Sequence, residues 1–190
     1  MQEDGITLYN RFLRGDKQAL EALIKLYRGG LLRFIYGYVK DSFLAEDILE
    51  DTFIEIYFRR SFKETGTASF KTYLYTIARN KSLNALKKRK RKKEVSIEAL
   101  DVGSAYFLSG ADTEEALENK RRKRTLHAAL FDVKEEYREV LLLRFFDGLS
   151  PEEIAKITKR NQKQVYNLIA RGKAALKERL TERGFLYEEL

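Results

Sequence analysis

Apolar residues recur at spacings of three and four along almost all of this 190-residue chain, and no stretch sustains a period of two. A helix buries one stripe every 3.6 residues, whereas a half-buried strand alternates, so the pattern admits helices and leaves nothing to build a sheet. Leu20, Leu23, Ile24 and Tyr27 form a first stripe, after which Gly29-Gly30 reads as a helix stop. Leu31, Phe34, Ile35 and Tyr38 form a second. Ala45, Ile48, Thr52, Phe53, Ile56 and Tyr57 line a third. Residues 61–69 break into a polar loop holding Gly66, and periodicity resumes at Phe70, Tyr73, Leu74 and Ile77. In the second half, Leu126, Ala129, Leu130, Tyr137, Val140, Leu141, Arg144 and Phe145 predict one long helix stopped at Gly148. The expectation is an all-α fold.

Charge divides the chain. Of a net +8, residues 87–93 (KKRKRKK) carry +7 and residues 120–124 (KRRKR) carry +5, while residues 94–119 between them carry seven acids and no base. The acidic segment has weak periodicity and two glycines, and reads as a flexible linker with a short helix near 113–117. Two small helical modules are therefore expected, over 1–93 and 120–190. Clustered Lys and Arg release counterions from phosphates and favour nucleic acid, although a run of like charge also suits a solvated surface.

The sharpest local pattern follows Gly148. Ser150-Pro151-Glu152-Glu153 combines a serine N-cap, proline at the first helical position and glutamate at the third, a complete capping box. It predicts a short helix, Pro151–Thr158, with Ile154 and Ala155 inward. A polar turn follows, in which Lys159 stands where glycine would best supply a left-handed conformation. Asn161 with Gln164 forms a second capping box for a helix over about 162–180, interrupted by Gly172. Two helices joined by so short a turn form a helix-turn-helix, whose second helix enters the major groove N-terminus first. The outward residues Lys163, Gln164, Tyr166, Asn167 and Arg171 offer amides suited to adenine and cations suited to guanine. Lys159, Arg160 and Lys173 suit phosphates.

Composition removes other chemistries. There is no cysteine, so no disulfide, thiolate or Cys-based metal site, and His127 is the sole histidine. The carboxylates Glu46, Asp47, Glu50 and Asp51 lack partners that would make them metal ligands. No phosphate-binding glycine loop or nucleophile constellation is present, so no cofactor, metal or catalytic residue is expected and the chain is read as not an enzyme. No apolar run approaches the ~18 residues of a membrane span, and the N-terminus lacks the order of a signal peptide. A soluble, cytoplasmic protein without stable membrane insertion is expected.

The sequences AEDILEDTFIEIYFR (45–59) and SFKTYLYTIARNKSLNALKKRKR (69–91) resemble regions 2.2 to 2.4 of the extracytoplasmic-function sigma factors of bacterial RNA polymerase. LSPEEIAKITKRNQKQVYNLIARGKAALKERL (149–180) resembles region 4.2 of the same family, and Gly15-Asp16 through Tyr27 is similar to its opening helix. The resemblance implies a transcription initiation factor that docks on core polymerase, melts the −10 element through region 2 and reads the −35 element through region 4. It implies that Asp47, Glu50, Asp51, Ile54 and Tyr57 meet the β′ clamp helices, and that region 4 meets the β flap. Lys63, Arg79, Asn80, Lys81, Asn84, Lys87 and Lys88 would track the −10 strand, and Phe70, Tyr73 and Tyr75 could wedge or stack on its bases, although the helical spacing favours Phe70, Tyr73 and Ile77 as core. An anti-sigma factor is the partner the family implies. The residues alone leave two other readings open: a stand-alone helix-turn-helix regulator that binds operator DNA without polymerase, and a helical interaction protein whose basic clusters are merely solvated.

Overall fold

The computed structural model describes residues 3–62, 69–92 and 114–185, and among these there is no strand. Eight α-helices succeed one another: α1 (Gly5–Leu13), α2 (Lys17–Val39), α3 (Ser42–Arg59), α4 (Phe70–Lys92), α5 (Glu114–Asp132), α6 (Glu135–Leu141), α7 (Pro151–Thr158) and α8 (Gln162–Glu182). A π-helical turn, Leu142–Phe146, extends α6. Of the expected linker, residues 94–113 lie outside the described residues. From Glu114 onward the chain is already helical, so the short helix expected near 113–117 is the start of α5.

The first three helices begin alike. The carboxylates of Asp4, Asp16 and Asp41 accept from the backbone N–H of Thr7, Ala19 and Leu44, satisfying a donor that the helix itself leaves open. Helix α2 packs on α1, α3 and α4, while α8 packs on α5, α6 and α7. The halves also meet each other, α4 against α7 and α2 against α6. One buried cluster consequently runs through both, from Leu23, Phe34, Ile56 and Leu74 to Val140, Leu143, Ile154 and Val165.

Two glycine readings change in three dimensions. Helix α2 does not stop at Gly29-Gly30 but continues to Val39. A β-carbon at Gly30 would lie 2.5 Å from the Tyr75 hydroxyl and 2.7 Å from Asp147 Oδ1, and one at Gly37 would lie 2.7 Å from Leu142 Cδ1. Both residues let other helices approach the α2 backbone. Gly172 interrupts nothing, because α8 runs through it to Glu182. It is buried against Tyr137 and Leu141 of α6, 3.3 Å from a β-carbon placed there. The single long helix expected over 126–145 is instead α5 and α6, separated at Val133-Lys134, and the π turn precedes Gly148, which takes a left-handed conformation at φ +67°.

Candidate nucleic-acid interface

Helices α7 and α8 with their turn carry the helix-turn-helix residues. The Ser150 hydroxyl accepts from the Glu153 N–H at 3.2 Å, and the Glu153 carboxylate accepts from the Ser150 N–H at 2.9 Å. Asn161 and Gln164 repeat the arrangement at 2.8 and 2.9 Å. Lys159 holds the left-handed conformation itself, at φ 56° and ψ 39°, so the turn keeps its geometry without glycine. For an L-residue that conformation costs about 1–2 kcal/mol. Ile154, Ala155, Ile157 and Val165 are buried between the helices. Lys163, Gln164, Tyr166, Asn167, Arg171 and Lys173 all face solvent, as does Lys159. Gln164, Asn167 and Arg171 line a shallow cleft with Glu136 and Arg160. The Gln164 carbonyl oxygen already serves the capping box, so this side chain presents chiefly its NH₂ donors outward.

On α4, Asn80, Asn84, Lys87 and Lys88 are exposed and recur at helical spacing, a polar and basic face for a backbone to follow. Lys81 is half-buried and pairs with Glu55 at 3.1 Å. Arg79 turns away from this face towards the second half of the chain. Phe70, Tyr75 and Ile77 are buried, and Tyr73 is half-buried with its hydroxyl 3.0 Å from Ser61 Oγ. Lys63 lies outside the described residues.

On α3, Asp47, Glu50, Asp51, Ile54 and Tyr57 are all exposed. Phe43 (85% exposed) and Phe58 (75%) extend the same face at both ends, and both escaped the sequence reading. Their spacing from Asp47 and Ile54, four residues each, was the available signal. Glu46 does not belong to this face, since it pairs with Arg28 at 2.8 Å.

Between the halves lies a polar seam. The Glu139 carboxylate, 4% exposed, accepts from Tyr38, from Arg79 Nε at 2.6 Å and from Arg160 Nη1 at 2.5 Å. Burial first, and then the Glu139 charge, pushes the Tyr38 phenol well above its usual range. Arg138 Nε donates to the Gly37 carbonyl at 2.8 Å. Asp147 sits against Tyr75 and Arg33, and burial raises its carboxyl to about 6. Ser69 and Thr72 donate to Glu153 at 2.7 and 3.1 Å. No sequence signal marked Glu139, because its partners stand far away along the chain.

Comparison with known proteins decides the family. Residues 23–92 match the model for sigma-70 region 2 and residues 123–176 the model for sigma-70 region 4. The chain is 32% identical over 187 residues to the RNA polymerase sigma-H factor of Pseudomonas aeruginosa, covering 94% of this chain and 95% of that protein. The chain belongs to the extracytoplasmic-function sigma factor family. The ECF RNA polymerase sigma factor SigW of Bacillus subtilis is 26% identical, covering 89% of this chain and 92% of that protein. A solved structure of CnrH in complex with the cytosolic domain of CnrY shares the fold, with a TM-score of 0.64 at 19% identity over 94% of this chain and 99% of that one. In this sigma factor the region 2 match spans most of α2 with all of α3 and α4, and the region 4 match runs from α5 into α8. His127 is packed against the Phe131 ring at 4.5 Å. Among the described residues no three His, Asp or Glu gather as a metal site, and no helix is long and apolar enough to cross a membrane.

Proposed function

We propose that this sigma factor binds core RNA polymerase and directs initiation at promoters by contacting the −10 and −35 elements. The observation that carries the reading is the exposed row Lys163, Gln164, Tyr166, Asn167 and Arg171 at the N-terminal end of a doubly capped helix-turn-helix. That row is shaped for duplex readout, with Lys159 and Lys173 on adjacent phosphates. Asn80, Lys81, Asn84, Lys87 and Lys88 of α4, together with Lys63, follow the melted −10 strand. The exposed α3 face, acidic at Asp47, Glu50 and Asp51 and apolar at Phe43, Ile54, Tyr57 and Phe58, docks on the β′ clamp helices, and the region 4 module meets the β flap.

The factor supplies recognition and strand separation; the nucleotidyl chemistry belongs to the polymerase, and both act in the cytoplasm. An anti-sigma factor is its further partner, as sigma factor RpoE from Bartonella quintana has been solved with the anti-sigma factor NepR. Run-off transcription tests the reading. Core polymerase with this chain, on DNA selected for binding to the pair, initiates at defined sites. Failure to bind core and to stimulate it overturns the reading.

A further inference from the structure

Helix α6 turns two carboxylates towards the helix-turn-helix, Glu136 and Glu139, three residues apart and so on one side of the helix. Glu139 is buried and already accepts from Arg160 Nη1 at 2.5 Å. Glu136 is exposed and lines a cleft of about 220 Å³ with Arg160, Gln164, Asn167, Leu168 and Arg171. It belongs to no capping box and to no part of the reading row proposed above, yet it lies against that row. Close packing fixes this placement: a β-carbon at Gly172, the residue after Arg171, would lie 3.3 Å from the β-carbon of Tyr137, the residue after Glu136. Of the two cations in the cleft, Arg160 is held by Glu139. Arg171 is exposed, and neither it nor Glu136 has a hydrogen-bond or ion-pair partner among the described residues.

A carboxylate on a surface that meets DNA repels phosphates wherever the chain lands. It aids recognition only by acting on a group that reads bases. Arginine is the reader with most to gain, because it identifies guanine through two parallel N–H donors to O6 and N7 and must lie in the plane of the base to do so. The same long side chain swung onto a phosphate binds without reading. A guanidinium has five donors, so a carboxylate beside it can accept from those that guanine leaves over. In water such an exposed pair is weak. Against a duplex that excludes water from the cleft, the attraction strengthens and locks the side chain.

We propose that Glu136 is a positioning residue for Arg171: on the duplex its carboxylate engages the guanidinium across the cleft and turns it from the phosphates to the edge of one guanine. Glu136 thereby exchanges general affinity for discrimination at a single base pair. This rests on the duplex-reading role proposed for Arg171.

The test uses Glu136→Gln, which keeps the size of an exposed side chain and removes its charge, beside Arg171→Ala and the double variant. Fluorescence anisotropy measures binding of the full-length chain to its selected −35 duplex, to every single-substituted version of it and to a scrambled duplex. Glu136→Gln is expected to bind the scrambled duplex several-fold tighter at low salt, while its preference at one base pair falls by about five-fold or more. That base pair is the one at which Arg171→Ala loses preference, and in the Arg171→Ala background Glu136→Gln shifts every duplex by one common factor. A carboxylate that merely repels DNA raises all affinities equally, and one that merely supports the fold lowers them equally; either result overturns the inference. A preference lost at a different base pair also overturns it. Arg171→Ala that loses one preference beside Glu136→Gln that keeps it removes the positioning role and leaves Arg171 a reader. Arg171→Ala that keeps every preference removes the reading role of Arg171, and the inference with it.

Discussion

The α2 backbone at Gly30 passes so close to Tyr75 that a β-carbon there would sit 2.5 Å from the phenol oxygen. The Asp147 carboxylate approaches from the other half at 2.7 Å, so neither neighbour can withdraw without disturbing the other. Gly30→Ala is expected to destabilise by about 1–3 kcal/mol through overpacking. Gly29→Ala, one residue earlier, meets only the tip of Arg33 at 3.7 Å and is exposed. It is expected to stabilise by up to about 1 kcal/mol, because alanine suits a helix interior better than glycine. Urea unfolding of the two variants, read against each other, checks both signs.

Asp147 is expected to contribute to stability with a pH dependence opposite to that of a paired carboxylate. Burial raises its carboxyl from 3.8 to about 6, despite Tyr75, Arg33 and Lys71 nearby, all of which lower it. The folded chain then binds this proton more tightly than the unfolded chain does. The group's contribution is complete below pH ~4 and is lost as pH rises through about 6, at most about 3 kcal/mol in all. Asp147→Asn removes this dependence. The unfolding free energy of the unaltered chain minus that of Asp147→Asn is expected to be greater at pH 4.5 than at pH 7.5. A difference that grows with pH would contradict the assignment.

What could be read from the chain was what local chemistry decides. The two capping boxes and the apolar period fixed α7 and α8 within two residues, since every bond involved spans three or four positions. Gly30 misled because its reason is tertiary: Tyr75 and Asp147 are nowhere near it in sequence. The break at Val133-Lys134 carries neither glycine nor proline, and Lys134 makes no side-chain cap, so nothing local announced it. The same division holds for the site. The outward residues of α8 and α3 follow from helical phase, whereas the engagement of Arg79 depends on Glu139, sixty residues away.

Lys159 combines a backbone cost with a charge, and the two can be separated. Lys159→Gly relieves the left-handed conformation at φ 56° and is expected to raise stability by about 1 kcal/mol. It also removes the cation proposed to lie beside the duplex. Affinity for −35 DNA should fall uniformly across sequences, and the slope of log affinity against log salt should shrink by about 1. Thermal unfolding and a salt titration of duplex binding measure the two effects, which are expected to run in opposite directions.

The acidic–apolar face of α3 should affect polymerase and leave duplex DNA alone. Asp47 and Asp51 are exposed, so their reversal in Asp47→Lys/Asp51→Lys disturbs no buried pair. Co-purification with core polymerase is expected to be lost, while binding to −35 duplex remains within about two-fold, because α8 presents its own cations and amides. Loss of duplex binding without loss of core binding would reverse the roles given to α3 and α8.

Gln164 distinguishes reading DNA from building the helix that reads it. Its carbonyl oxygen accepts from the Asn161 N–H at 2.9 Å, and its NH₂ group supplies outward donors. Gln164→Glu keeps an acceptor for the capping box and adds a negative charge at a helix N-terminus, so stability is expected to hold or rise slightly. The same change removes the donors and sets a carboxylate against the duplex. Specific affinity should therefore fall by at least ten-fold, about 1.4 kcal/mol, with no loss of fold. Gln164→Ala loses the capping bond as well and should lower both stability and affinity. Asn167→Ala caps nothing, and is expected to relax sequence preference at one base position at a cost of about 1–3 kcal/mol. Melting temperatures alongside binding to matched and single-substituted duplexes separate these outcomes; a Gln164→Glu variant that binds as tightly as the unaltered chain would remove Gln164 from the reading surface.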